Sequence, residues 1–467
     1  MSDIDQQFLA FGIDADTGLP LTWEHAAPAK EQLTNEAIAT KAAGAPYRSN
    51  AHYGVPFGFD LEKLEEVGWG LIFAADVDPT LYLEQLAPLL ALRKEQAGGR
   101  YRVFSGAQGV RPDESANQWL NRHGTALNIM DPDLGVPFYL LLIGPPTALS
   151  FEFQYSLDIA AGVGRLDFPA LDDYRHYAQS VVRHEQCDSC RTRRTIELFA
   201  TCHDYDAATQ LFTEKVARPL SEGPQPLGAK YGFSVSHSLG DQSTKAQLSR
   251  LFNHPEQASS LLFTGTHGMA FKAADPRQPE HQGALLCQDW PGHGEPMAEH
   301  WFSADDVSEQ ANIHGMIHFF FACYGAGTPE HDNYTFTGER KRIANAPATA
   351  RLAQKMLSLR SGGALASLGH VDRAWASSFL SERGAAQTQA FRDVIHHLMA
   401  GHRVGHATDQ FNTQWGTLST LLVESLRNLD YGKQPTAELM RLRIARDDMR
   451  NYIVLGDPAV RLRPEEV

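Results

Sequence analysis

The stretch "LLFTGTHGMAF" (residues 261–271) is an apolar run that ends on His267-Gly268, and "MIHFFFACYGAG" (316–327) is a second that ends on Ala322-Cys323-Tyr324-Gly325. Continuous apolar runs of this length are expected of strands covered by helices on both faces. In open α/β sheets, sites form where the carboxyl ends of neighbouring strands meet. Two buried strands that each deliver one reactive side chain and a glycine therefore point to an α/β fold with a site at its strand ends. The two residues are 323 − 267 = 56 positions apart.

Working outward, the same alternation recurs. Strands are predicted within "GWGLIFAADVD" (68–78), "RYRVFSG" (100–106), "PFYLLLIGPP" (137–146), "RRTIELFATCHD" (193–204), "YGFSVSHSL" (231–239) and "GGALASLGHV" (362–371). Helices are predicted between them. "PTLYLEQLAPLLALRKEQAGG" has leucines at helical spacing and a Gly-Gly stop, and "AATQLFTEKVARPL" (207–220) follows the fourth of these strands. "STKAQLSRLFNH" (243–254) puts Leu248, Leu251 and Phe252 on one face. The pattern predicts an α/β sandwich with mainly parallel sheets flanked by helices, in two sub-domains. The expected division is an N-terminal extension at 1–60 with one short helix near 29–42, a first α/β unit at 61–185, and a catalytic unit at 186–467. A polar hinge is expected at about 180–194, and "PRQPEHQGALLCQDWPGHGEPM" (276–297) reads as a long loop.

Composition narrows the function. The chain has 467 residues, 43% of them hydrophobic, enough for more than one sizeable core. Its 56 acidic and 41 basic residues leave a net charge of −15, which argues against nucleic-acid binding through a general positive field. No apolar run is long enough to span a bilayer, and the N-terminus shows no secretion signal, so no membrane role is expected. Five cysteines do not make a disulfide framework, and a reducing cytoplasm is the expected compartment.

A thiolate is a working nucleophile, and a nearby imidazole promotes its formation or protonates a leaving amine. Gly268 lets a carbonyl approach the backbone, where its N–H and that of Cys323 could cradle an oxyanion. Caspase signatures have Gln-Ala-Cys-x-Gly with a histidine about 50 residues upstream. This chain keeps Ala-Cys-x-Gly and the order, with Phe321 in place of the glutamine. A cysteine after a phenylalanine run can equally be an inert buried side chain.

Four further segments occur in order: "FYLLLIG" with "AAGVGRLDFPALD" (160–172), the helix and strand leading to His267, "GGALASLGHVDRAWASSF" (362–379), and "NYIVLGDPAVRLR" (451–463). Together they resemble the gingipain family of the caspase-like clan of cysteine peptidases over roughly residues 68–467. The resemblance implies a cysteine endopeptidase acting on protein or peptide substrates through His267 and Cys323 as a dyad, with no cofactor. It implies a primary specificity pocket lined by Trp375 and the 370–374 loop, including Asp372 and Arg373. Basic-specific members place an acid in that pocket, for which Asp204 and Asp206 are the nearest candidates. Arg373 stands where an uncharged polar residue is expected and would favour an acidic substrate residue if it faced inward, so the cleavage preference stays open. A silent scaffold that binds a partner protein through the same cleft is the alternative.

Other clusters weigh less. His184, Cys187, Cys190 and Cys202 could be drawn as a zinc site, but the spacing is poor, and free thiols with no metal are expected. The histidines at 281, 293, 300, 396, 397, 402 and 406 are expected in solvated or capping roles. "GERKRIANAP" (338–347) reads as a solvated loop. Control of a cytoplasmic peptidase is expected to come from an activating protein, a ligand, or cleavage within 324–347, where Arg340, Lys341 and Arg342 offer a nick.

Overall fold

The computed structural model describes residues 6, 8–22, 55–127, 130–187, 193–254, 258–335, 339–381, 384–430 and 437–463. Its frame is a ten-stranded sheet. In chain order the strands are β1 Trp69–Ile72, β2 Tyr101–Phe104, β3 Tyr139–Ile143, β4 Gly162–Leu166, β5 Thr195–Ala200, β6 Ser234–Leu239, β7 Leu261–Gly265, β8 Ile317–Phe321, β9 Ala366–His370 and β10 Tyr452–Gly456. Across the sheet they lie in the order β2-β1-β3-β4-β10-β9-β8-β7-β5-β6.

Every neighbouring pair is parallel except β9 and β10. The sheet therefore consists of two parallel halves running in opposite directions, joined at that one antiparallel seam. The last strand of the chain crosses back to complete the first half. The central strands β3, β4, β7, β8, β9 and β10 are buried along their whole length, as strands covered on both faces must be. At the edge, β6 alternates exposed and partly buried residues.

The helices follow the expected signals. Ala87–Ala97 stops at Gly98 with φ +52°, and Lys245–Asn253 starts at the Thr244 cap and buries Leu248, Leu251 and Phe252. Two expectations need correction. Residues 180–186 are no hinge but the end of helix Leu171–Gln186, which buries Tyr174, Tyr177, Ala178 and Val181 under a polar outer face. The 276–297 segment also carries structure, namely helix Gln278–His281 and the two-residue strand Leu285–Leu286. The helix expected near 29–42 lies outside the described residues. Among the described residues no helix is long and apolar enough to cross a membrane.

A second, four-stranded sheet sits beyond the carboxyl ends of β7 and β8. It orders Gly12–Asp14, Gly268–Ala270, Leu285–Leu286 and Trp301–Phe302. Its core contains Ile13, Ala15, Met269, Phe271, Ala284, Leu286, Trp290 and Trp301. Residues 10–15, read as part of an extension, are thus mostly buried, with Gly12–Asp14 paired into this second sheet.

Candidate active site

β7 and β8 lie side by side in register, Gly265 opposite Phe321. His267 and Cys323 each follow two residues beyond those strand ends, which is why the two apolar runs bring these residues to neighbouring positions at one end of the sheet. Both residues are fully buried. Tyr324 leaves the strand with φ +61°, a conformation a bulky residue adopts only when its surroundings hold it there. Its N–H is bound by Asp372 O at 2.7 Å.

His267 has a partner that its sequence neighbourhood does not reveal. Its Nε2 lies 2.5 Å from Asp206 Oδ2. Asp206 caps helix Ala207–Phe212, accepting from the N–H groups of Ala208 and Thr209 and from the Thr209 hydroxyl at 2.7 Å. Burial alone would raise its carboxyl, but the adjacent imidazole, the Thr209 hydroxyl and the helix N–H groups outweigh burial and hold it far below the ordinary carboxylate range. The other nitrogen, Nδ1, is buried with no hydrogen-bond partner among the described residues. A ring anchored at one nitrogen and open at the other is oriented to carry a proton there.

Cys323 Sγ accepts the Ala374 N–H at 3.3 Å and faces Ala374 O at 3.7 Å. Burial drives its thiol well above the ordinary range, so in this state the sulfur is a neutral thiol.

The reason for that burial is the N-terminal segment. The N–H groups of Gly268 and Cys323 converge on one acceptor, the carbonyl oxygen of Phe11, at 2.9 and 2.8 Å. Phe11 N–H donates to Ala374 O, Ala376 N–H donates to Leu9 O, and Ala10 bridges Trp375 in antiparallel sense. Past the carbonyl, Gly12–Asp14 runs parallel to Gly268–Ala270. A Cβ on Gly12 would stand 2.8 Å from Cys323 Sγ, so the Phe11–Gly12 peptide lies directly on the sulfur. A Cβ on Gly268 would meet Cys323 O at 1.9 Å, so the paired N–H groups require glycine there.

The residues expected to line a charged specificity pocket are placed otherwise. Asp206 belongs to His267, and Asp204 is exposed. Asp372 is buried, with φ +69°, and accepts from Asn333 and the Arg373 N–H. The Arg373 guanidinium turns away to Asp332 and the Thr22 carbonyl and lies over the rings of Tyr334 and Trp375. Trp375 meets the N-terminal segment through its backbone. Asp332, Asp372 and Arg373 compensate one another, as buried charges must.

Asp448, which the sequence does not flag, holds the 375–378 segment from beneath. It accepts from Trp375 N–H at 3.1 Å and from the hydroxyls of Ser377 and Ser378 at 2.8 Å.

A model of peptidase family C25 matches residues 135–463. The chain belongs to peptidase family C25. It is a cysteine-type endopeptidase by that membership, and the caspase-like expectation holds at the level of the family. Among solved structures it is similar to the complex of Porphyromonas gingivalis RgpB pro- and mature domains, at 12% identity over 85% of this chain and 80% of that one, with a TM-score of 0.49. It is also similar to a structure described as a protease, at 12% identity over 85% of this chain and 78% of that one, with a TM-score of 0.50. At such identity the second likeness bears on the fold alone, and it agrees with the mostly parallel sheet flanked by helices. No curated protein matches the chain.

The zinc reading of the cysteines does not assemble. Cys187 stands at the C-terminal end of helix Leu171–Gln186, whereas Cys202 follows β5. Cys187 is disulfide-bonded, against the expectation of free thiols, while Cys202, Cys287 and Cys323 are free. Cys190 lies outside the described residues. His402 and His406 are half-exposed, as expected, but share one carboxylate partner. Each places Nδ1 2.8 Å from Glu62 Oε1, the one His/Glu group among the described residues whose spacing suits a metal ion.

Proposed function

We propose that this family C25 peptidase works through Cys323, His267 and Asp206, and that residues 9–14 hold it latent. Cys323 Sγ, its proton passed to His267, attacks the carbonyl carbon of the substrate. The N–H groups of Gly268 and Cys323 stabilise the oxyanion. The C–N bond breaks, His267 gives its proton to the leaving amine, and a thioester remains. Water then adds with His267 as base, releasing the acid and restoring the thiol. Asp206 keeps the imidazole in one tautomer and supports its charge. The observation that carries this reading is the Phe11 carbonyl. It occupies the paired N–H groups above a cysteine sulfur, the position a substrate carbonyl must take.

Latency follows from the same contacts. Phe11 and Ile13 are both fully buried, worth about 1.5–3 kcal/mol each, and backbone pairing on both sides holds the segment in register. Control therefore lies in the N-terminal strap in this reading, ahead of any nick at Arg340–Arg342. Substituting Gly12 is the direct test, because any side chain there collides with Leu21, Cys323 Cβ and Cys323 Sγ. The full chain carrying Gly12→Val should alkylate at Cys323 with iodoacetamide at least tenfold faster than wild type and should cleave a denatured protein. The same chain with Cys323→Ala should cleave nothing. Cleavage that survives Cys323→Ala would overturn the assignment.

A further inference from the structure

The strap also reports what the cleft selects. Its carbonyl in the oxyanion site and its N–H on Ala374 O define Phe11 as the residue on the acyl side of the scissile bond. Wherever its side chain goes is then the primary specificity pocket. The ring is fully buried. It meets Phe321 with centroids 4.6 Å apart, Phe212 at 5.8 Å, Phe379 at 5.9 Å and the His267 ring at 5.9 Å, the three phenylalanine contacts edge to face. Those three phenylalanines also contact one another: Phe212 stacks on Phe321 at 4.9 Å, and Phe379 closes on both at 5.6 and 5.7 Å.

We infer that this chain cleaves after phenylalanine or a similarly bulky aromatic residue, selected by the Phe212, Phe321 and Phe379 cage, and not after a charged one. The inference rests on the peptidase reading above and adds its substrate class. Each wall has a structural origin. Phe321 ends β8 two residues before the nucleophile, and Phe212 ends the helix that Asp206 caps. Phe379 closes the short turn after Trp375. Gly265 is part of the device, since a Cβ there would stand 1.9 Å from the Phe212 ring.

The charged groups that could have made the pocket basic- or acid-specific are committed elsewhere, Asp206 to His267 and Arg373 to Asp332. A carboxylate placed among three phenyl rings would lose its hydration with no partner in return, and a guanidinium would keep ring contacts alone in place of a counter-charge. Aromatic rings meeting edge to face gain beyond their buried area. The neighbouring positions add to the pattern. Ala10 bridges the Trp375 backbone in antiparallel sense, and Phe8 lies under the guanidinium of Arg441 at 5.8 Å, which with Ser377 and Leu380 lines a cavity of about 490 Å³. Hydrolysis of such a peptide consumes one water and leaves a phenylalanine carboxylate and a free amine.

The test uses the full chain carrying Gly12→Val, which unseats the strap without touching the pocket. Three fluorogenic peptides, Leu-Ala-Phe, Leu-Ala-Arg and Leu-Ala-Asp, are compared by kcat/KM. The phenylalanine peptide should exceed the other two by on the order of 100-fold. Phe379→Ala should cut that preference about tenfold; Phe212→Leu, a milder change, should lower it in the same direction if the first variant fails to fold. A preference for arginine or aspartate, or equal rates on all three, would overturn the pocket and leave the peptidase standing. Cleavage of none, with no adduct of a Leu-Ala-Phe chloromethyl ketone at Cys323, would overturn the peptidase reading and the pocket with it.

Discussion

Asp206 does two things with one carboxylate, and the two can be separated. As a helix cap its loss costs about 1 kcal/mol, whereas as the partner of His267 its loss leaves the imidazole free to take the wrong tautomer. Asp206→Asn keeps a side-chain oxygen for the cap. In the Gly12→Val chain it should lower kcat by roughly 10²–10⁴-fold with Tm nearly unchanged. Kinetics beside a melting curve checks this. An unchanged kcat would remove Asp206 from the mechanism. The proposed dyad could be named from the sequence, because two buried strands ending in His-Gly and Ala-Cys have few other reasons to look alike. Asp206 was not, because its role depends on a helix start meeting a strand end 61 positions away. Read from local sequence, it could only be assigned as a nearby acid. The aromatic pocket left one trace in the sequence: Phe321 stands where caspases carry a glutamine.

At the scale of elements, the strap is the part that periodicity could not find. Residues 9–14 are too short to show a pattern and pair with Gly268–Ala270 and Ala374–Ala376 across more than 250 positions. The Glu62 cluster is equally long-range, joining the approach to β1 with the segment at 402–406. Burial raises the Glu62 carboxyl, but the hydrogen bonds from His402 and His406 overcome this and hold it down at about 2. The same pairing raises His402. A lowered carboxyl stabilises above its ordinary value of 4.5 and fails as pH falls toward 2. A raised imidazole stabilises below its ordinary 6.5 and fails as pH climbs through its raised value. The cluster therefore helps most between those two ordinary values. Glu62→Gln should depress Tm more at about pH 5.5 than at about pH 8.5. An equal drop at both would mean that the ion pairs contribute nothing beyond packing.

At the scale of the whole molecule, the two half-sheets were visible as two runs of strand–helix alternation, but the seam was not. Which strand lies beside which is a property of the assembled sheet. The Gly-Asp-Pro at the end of β10 shows what holds that last strand to the first half. Asp457 is fully buried and accepts from Arg93 Nε at 2.7 Å and Trp69 Nε1 at 2.9 Å, while Arg93 also grips Glu185. Asp457→Ala should destabilise by about 3–5 kcal/mol, because it strands part of a buried guanidinium. Urea unfolding checks this, and a loss under about 1 kcal/mol would contradict it. One sulfur, that of Cys323, should be the nucleophile beneath a displaceable strap. The full-length Gly12→Val chain and wild type should be incubated with a Leu-Ala-Phe chloromethyl ketone, digested, and mapped by mass spectrometry. One adduct is expected, on Cys323, forming at least tenfold faster in Gly12→Val and blocked by prior iodoacetamide. An adduct on Cys202 or Cys287 instead, or equal labelling of Cys323 in both chains, would contradict it.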